Sequence, residues 1–155
     1  VIGILAQPLD SDVSWPQVPK EIYDGYNQFV ASTHVKYIES AGGRVVPIYW
    51  NQPDEYYEHL MSSINGLYLP GGDTVLIDGD GSLSPFMAIT KKLLDMAVDM
   101  NNRGIHFPVW GVCQGFEQLM IYPMRTPSMQ TFNANNLARH LHLVPRGYFS
   151  KLMRG

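Results

Sequence analysis

The stretch WGVCQGFEQL, Trp110 to Leu119, holds the only cysteine of the chain, Cys113, set between Gly111 and Gly115. The run FPVWGVC leading into it reads as a strand, and QGFEQLMIY after it starts a helix. A strand that feeds a helix directly through Gly-x-Cys-x-Gly has the pattern of a nucleophile elbow. The chain must reverse within a few residues, which forces the middle residue into strain, and small flanking residues let the neighbouring backbone pass close. The thiol then projects from the carboxyl edge of the sheet, where α/β folds place their ligands. A helix N-terminus there favours the thiolate, and the first helix amides, Gln114 among them, can donate to an oxyanion. Most free cysteines are small buried hydrophobes. The strand-to-helix junction, with three strand–helix units before it, favours the nucleophile for Cys113.

Those units are legible outward from the elbow. VIGILAQ at the N-terminus reads as a strand, and the stretch from Pro8 to Asn27 is loop-like, with three prolines. QFVASTHVKYIESAGG, residues 28–43, carries Val30, His34 or Val35, Tyr37 or Ile38 and Ala41 at helical spacing, closed by two glycines. RVVPIYW is the next strand. QPDEYYEHLMSSI puts Pro53 and acids at a helix start. NGLYLPGG is a third strand, and DTVLIDGDGSLS a flexible connection. PFMAITKKLLDMAVDMNNRG is the longest amphipathic helix, with Pro85 in its first turn and Gly104 past its end. Strands alternating with helices imply parallel pairing through right-handed crossovers, hence a doubly wound α/β sheet. In the tail, LARHLHLV (137–144) alternates and suits a strand with a solvated face.

Composition narrows the function. The 155 residues and 45% hydrophobic content suit a single domain, 1–155, or part of a larger one. Eleven Lys+Arg against fourteen Asp+Glu, with no basic stripe, argue against nucleic acid as partner. No apolar run is long enough for membrane insertion as a helix. One cysteine forms no internal disulfide. The chain opens straight into a strand at Val1, so a preceding leader is expected.

A second feature bears on the site. Leu69-Pro70-Gly71-Gly72 ends the third strand and so emerges at the same sheet edge as Cys113. Alone this is an ordinary glycine turn. Paired with the elbow, Gly71 and Gly72 become candidates for the second oxyanion amide, because no side chain obstructs their N–H groups.

SINGLYLPGG followed by FPVWGVCQGFEQL resembles the class I glutamine amidotransferase-like fold, and more narrowly the gamma-glutamyl hydrolases. These are cysteine peptidases that trim poly-gamma-glutamate from folates. THVKYIESAGGRVVPIYW is similar to that family's first helix and second strand, and FNANNLARHLHLV to a segment after its nucleophile helix. The resemblance implies a three-layer, flavodoxin-like, mostly parallel α/β domain, here its N-terminal and central part and incomplete on the C-terminal side. It implies Cys113 as nucleophile, with Gln114, Gly71 and Gly72 around the oxyanion, and a thioester intermediate. It places Glu117, one helical turn past the cysteine, against the substrate. It implies a small-molecule gamma-glutamyl substrate, no cofactor and no metal, and a secreted, lysosomal or vacuolar location; a homodimer is compatible with it.

Two departures stand out. ASTHVKY has His34 where relatives often carry tyrosine in an ASYVKY-like stretch, so His34 takes that substrate-facing position. The family's catalytic histidine lies in a later QWHPE-like motif that does not occur in residues 1–155. Of the histidines present, His59 reads as a surface residue and His106 lies at the edge opposite Cys113. His140 and His142 share one side of the expected tail strand, without a recognisable third metal ligand. A thiolate lacking a proton-transfer partner attacks slowly and cannot protonate a leaving amine. The expected explanation is that the histidine lies in an unseen part of a longer enzyme. The alternatives are a related glutaminase or hydrolase of the same superfamily, or a non-catalytic relative serving as a structural or binding piece.

Overall fold

The computed structural model describes residues 1–9, 24–130, 132–134, 136–140 and 142. The first half holds β1 (Ile2–Leu5), β2 (Gln7–Pro8), β3 (Gln28–Phe29), α1 (Ser32–Ser40), β4 (Val45–Ile48) and α2 (Asp54–Ser63). The second half holds β5 (Leu67–Leu69), α3 (Pro85–Asn102), β6 (Val109–Gly111) and α4 (Gln114–Ile121). Four strands form one sheet in the order β4-β1-β5-β6, every neighbouring pair parallel. The expected mixed α/β architecture with a parallel sheet is what the chain builds.

The order follows from local chemistry. β1 is apolar and buried along almost its whole length, as befits a strand with neighbours on both sides and helices over both faces. The crossover from β1 to β4 runs one way along the sheet, and those from β4 to β5 and β5 to β6 run the other. Right-handed connections therefore put α1 on one face and α2 and α3 on the other. The core lies on the α2–α3 side: Tyr57 and Met61 of α2 meet Met87, Leu93, Leu94 and Ala97 of α3, with Phe107 closing the bottom. Ser84 starts α3 by accepting the Met87 N–H at 3.2 Å, and Pro85 fills the first helical position, which needs no amide donor.

Three expectations need correction. Gln28 and Phe29 are not helical: they pair antiparallel with Pro8 and Gln7, and the helix starts only at Ser32. The reason is tertiary. The Gln28 side chain accepts the Trp50 N–H at 3.2 Å and donates to Asn51 Oδ1 at 2.8 Å, which pins the ribbon to the end of β4 against the helical periodicity. The segment 73–84 is tied down rather than loose: Ile77 bridges Leu83, Asp78 N–H donates to Ser82 O at 2.8 Å, and the Ser84 hydroxyl to Val75 O at 2.6 Å. In the tail, Leu137–His140 and His142 form no strand, so His140 and His142 share no strand face; the rest of LARHLHLV lies outside the described residues.

Candidate active site

Cys113 sits between the last residues of β6 and the first of α4, at φ +54° and ψ −117°. This is a conformation that side-chain-bearing residues rarely adopt and that costs on the order of 1–3 kcal/mol. The glycines on either side explain how it is reached. A Cβ on Gly115 would overlap the carbonyl of Leu69 in the neighbouring strand, and one on Gly111 would lie 2.5 Å from the Gly115 carbonyl oxygen. The helix start is thereby pressed onto the sheet, and the chain turns at Cys113. Hydrogen bonds from Gly115 N–H to Val112 O at 2.9 Å and from Phe116 N–H to Cys113 O at 2.9 Å complete the turn.

The turn after β5 reaches the same place. A Cβ added to Gly71 would lie 3.2 Å from Cys113 Cβ and 3.7 Å from its Sγ, so the two loops touch at the thiol. Neither the Gly72 N–H nor the Gln114 N–H finds an acceptor among the described residues. Two backbone donors without acceptors thus stand near an exposed sulfur, one on the residue after Cys113 and one on the glycine turn that lines the same cleft. The Gln114 side chain, to which the sequence pointed only through its amide, clamps the turn. Its Oε1 accepts the Thr74 N–H at 3.2 Å and its Nε2 donates to Thr74 O at 2.7 Å. The Thr74 hydroxyl in turn donates to Gln7 Oε1 at 2.9 Å. Strand β2, the β5 turn and α4 are locked together through these amides.

Cys113 opens into a cleft of about 490 Å³ that it shares with Gln7, Thr33, His34, Gly71 and Gly72. Of the residues singled out in the sequence, the structure therefore brings together Cys113, His34, Gly71 and Gly72, with Gln114 buried directly behind them. Glu117 lies one turn along α4, half-buried, its N–H on the Cys113 carbonyl at 3.2 Å, and does not line this cleft. His59, His106, His140 and His142 are exposed and lie apart from it. Among the described residues no group of three His, Cys, Asp or Glu side chains is arranged to hold a metal.

One functional neighbour escaped the sequence reading. Tyr68, in the middle of β5 and 3% exposed, places its hydroxyl 2.9 Å from His34 Nδ1. His34 and Tyr37, one turn apart on α1, both lay their rings against it, with centroids 5.5 and 6.2 Å away. Burial pushes the His34 imidazole below its ordinary pKa of 6.5, so it is held towards the neutral form. Burial, and then the neighbouring Tyr37, pushes the Tyr68 hydroxyl up. An aromatic in an apolar strand gives no sign of such a partner.

The peptidase C26 family model matches residues 1–126, which covers every element described above. The chain is 38% identical over 155 residues to gamma-glutamyl hydrolase B of Dictyostelium discoideum, covering 99% of this chain and 41% of that protein. It is 46% identical over 95 residues to the gamma-glutamyl hydrolase of Mus musculus, covering 61% and 28%. With that of Homo sapiens it shares 36% over 121 residues, covering 78% and 34%. The chain thus spans 41% or less of the length of these relatives. The elbow, the cleft and the extent of the match agree: this chain belongs to the peptidase C26 family.

Proposed function

We propose that the protein hydrolyses gamma-glutamyl amide bonds, with folyl or other poly-gamma-glutamates as substrates, through a cysteine acyl-enzyme. The observation that carries this reading is the strained, exposed Cys113 in a cleft it shares with the Gly71-Gly72 turn, the Gly72 and Gln114 amides having no acceptor among the described residues. The names of the relatives supply the bond type.

In this reading the Cys113 thiolate attacks the gamma-carbonyl carbon, and the carbonyl electron pair moves onto oxygen. The Gly72 and Gln114 N–H groups, with the Gly71 turn beside them, hold that oxyanion. The tetrahedral intermediate collapses to a thioester as the amine leaves with a proton. Water then attacks the thioester and frees the glutamyl acid and the thiol. The proton carrier is the histidine of the family's QWHPE-like motif, which none of the five histidines of residues 1–155 stands in. His34 contacts the substrate within the cleft, and Glu117, one turn along α4 and outside the cleft lining, orients the pocket from behind Cys113. The domain 1–155 serves as the N-terminal and central part of the catalytic unit. A secreted, lysosomal or vacuolar location and a homodimer belong to the same proposal and rest on the family alone.

The test is glutamate release from p-aminobenzoyl-poly-gamma-glutamate, with the full chain and its Cys113→Ser variant. Release by the parent and a fall of at least about a thousandfold in the variant are expected. Undiminished release by Cys113→Ser would overturn the nucleophile; ammonia release from glutamine, with the polyglutamate untouched, would overturn the substrate class.

A further inference from the structure

The hydrogen bond between His34 and Tyr68 admits two arrangements, and the burial of Tyr68 chooses between them. A neutral imidazole carries one N–H. If Nδ1 held it and donated to the Tyr68 oxygen, the Tyr68 hydroxyl proton would need an acceptor elsewhere. Tyr68 makes no other side-chain hydrogen bond among the described residues and is 3% exposed. A buried, unpaired O–H is costly, whereas an oxygen with an idle lone pair costs little. The hydroxyl therefore donates to Nδ1, and the imidazole proton sits on Nε2. Nε2 has no partner among the described residues and is not sealed from solvent. His34 itself lines the Cys113 cleft.

We propose that Tyr68 is a positioning residue whose hydroxyl fixes His34 as the Nε2–H tautomer, making His34 a hydrogen-bond donor in the Cys113 cleft for a substrate carboxylate. The carboxylate rests on the gamma-glutamyl reading above; the tautomer does not. The His34 ring is anchored once more by its tilted contact with the Tyr68 ring, which Tyr37 of the same helix also touches. A donor held this way has little freedom left to lose on binding, which is what makes a single neutral contact useful for orientation. The same tautomer makes His34 unsuited to accept the Cys113 proton at Nε2, so it is a binding group and not the base.

The experiment uses the full, nitrogen-15-labelled chain and its Tyr68→Phe variant, which removes one oxygen and keeps the ring. Long-range proton–nitrogen correlations of the His34 ring, at a pH where it is neutral, report the tautomer. Binding of gamma-glutamylglutamate, measured calorimetrically with Cys113→Ser in both backgrounds to prevent turnover, reports the consequence. The expected results are a ring held almost wholly as Nε2–H in the parent, a shift towards the mixed tautomers of a free imidazole in Tyr68→Phe, and binding weaker by about two- to tenfold, the scale of one hydrogen bond. An Nδ1–H ring in the parent, or ring signals and affinity unchanged by Tyr68→Phe, would overturn the proposal. An Nε2–H preference that weakens in Tyr68→Phe, with no binding of the dipeptide by either protein, would support the positioning role and overturn the glutamyl carboxylate as its target.

Discussion

Helices α1 and α3 flank opposite faces of one sheet and do different work. α3 has a side-chain cap, a proline at its first position and six fully buried residues. α1 has neither device and not one fully buried residue. Yet α1 carries His34 into the cleft, and α3 contributes nothing to it. The fold draws its cohesion from the α2–α3 side and leaves the α1 side half-open, where a ligand can be met. Backbone strain sits at Cys113, on the cleft that His34 also lines.

The largest test of that contrast is a pair of truncations. Leu93→Ala, at a fully buried site on α3, is expected to cost about 2–5 kcal/mol in denaturant unfolding. Ile38→Ala, on the half-buried face of α1, is expected to cost about 1 kcal/mol. Equal losses would break the division between the two helices. Next in size is the elbow itself. Cys113→Gly relieves a φ of +54° and should raise stability by about 1 kcal/mol while abolishing hydrolysis. A variant no more stable than the parent would show that the turn holds no strain.

The smallest effect is a pH slope. The folded-state pKa of His34 lies below its ordinary value of 6.5, so below that pH the unfolded chain binds more protons. The His34 contribution is fully present above about pH 6.5 and is lost as pH falls through that value towards the lowered one. His34→Gln should remove this component from the stability–pH curve; an unchanged slope would show that burial does not lower the His34 pKa.

What could be read from the sequence was what local chemistry enforces. Gly111 and Gly115 announce the elbow because only residues without Cβ fit against the Leu69 and Gly115 carbonyls. Pro85 and Gly104 bracket α3 for reasons confined to one helical turn. The pieces that stayed hidden depend on partners far along the chain. Gln28 abandons a helical pattern for Pro8 and Asn51. Tyr68 meets His34 across 34 positions, and nothing in LYL distinguishes a core tyrosine from one that orients an imidazole. Gln114 was read for its amide, while its side chain is what fixes the opposite turn.

The central claim, that Cys113 is the nucleophile for a gamma-glutamyl carbonyl, is most directly tested by mass spectrometry after exposure to a thiol-reactive gamma-glutamyl analogue. The account predicts a single adduct, mapped to Cys113, whose formation slows when excess gamma-glutamyl peptide is present. No adduct at Cys113, or one that forms equally fast with a reagent lacking the glutamyl group, would contradict it.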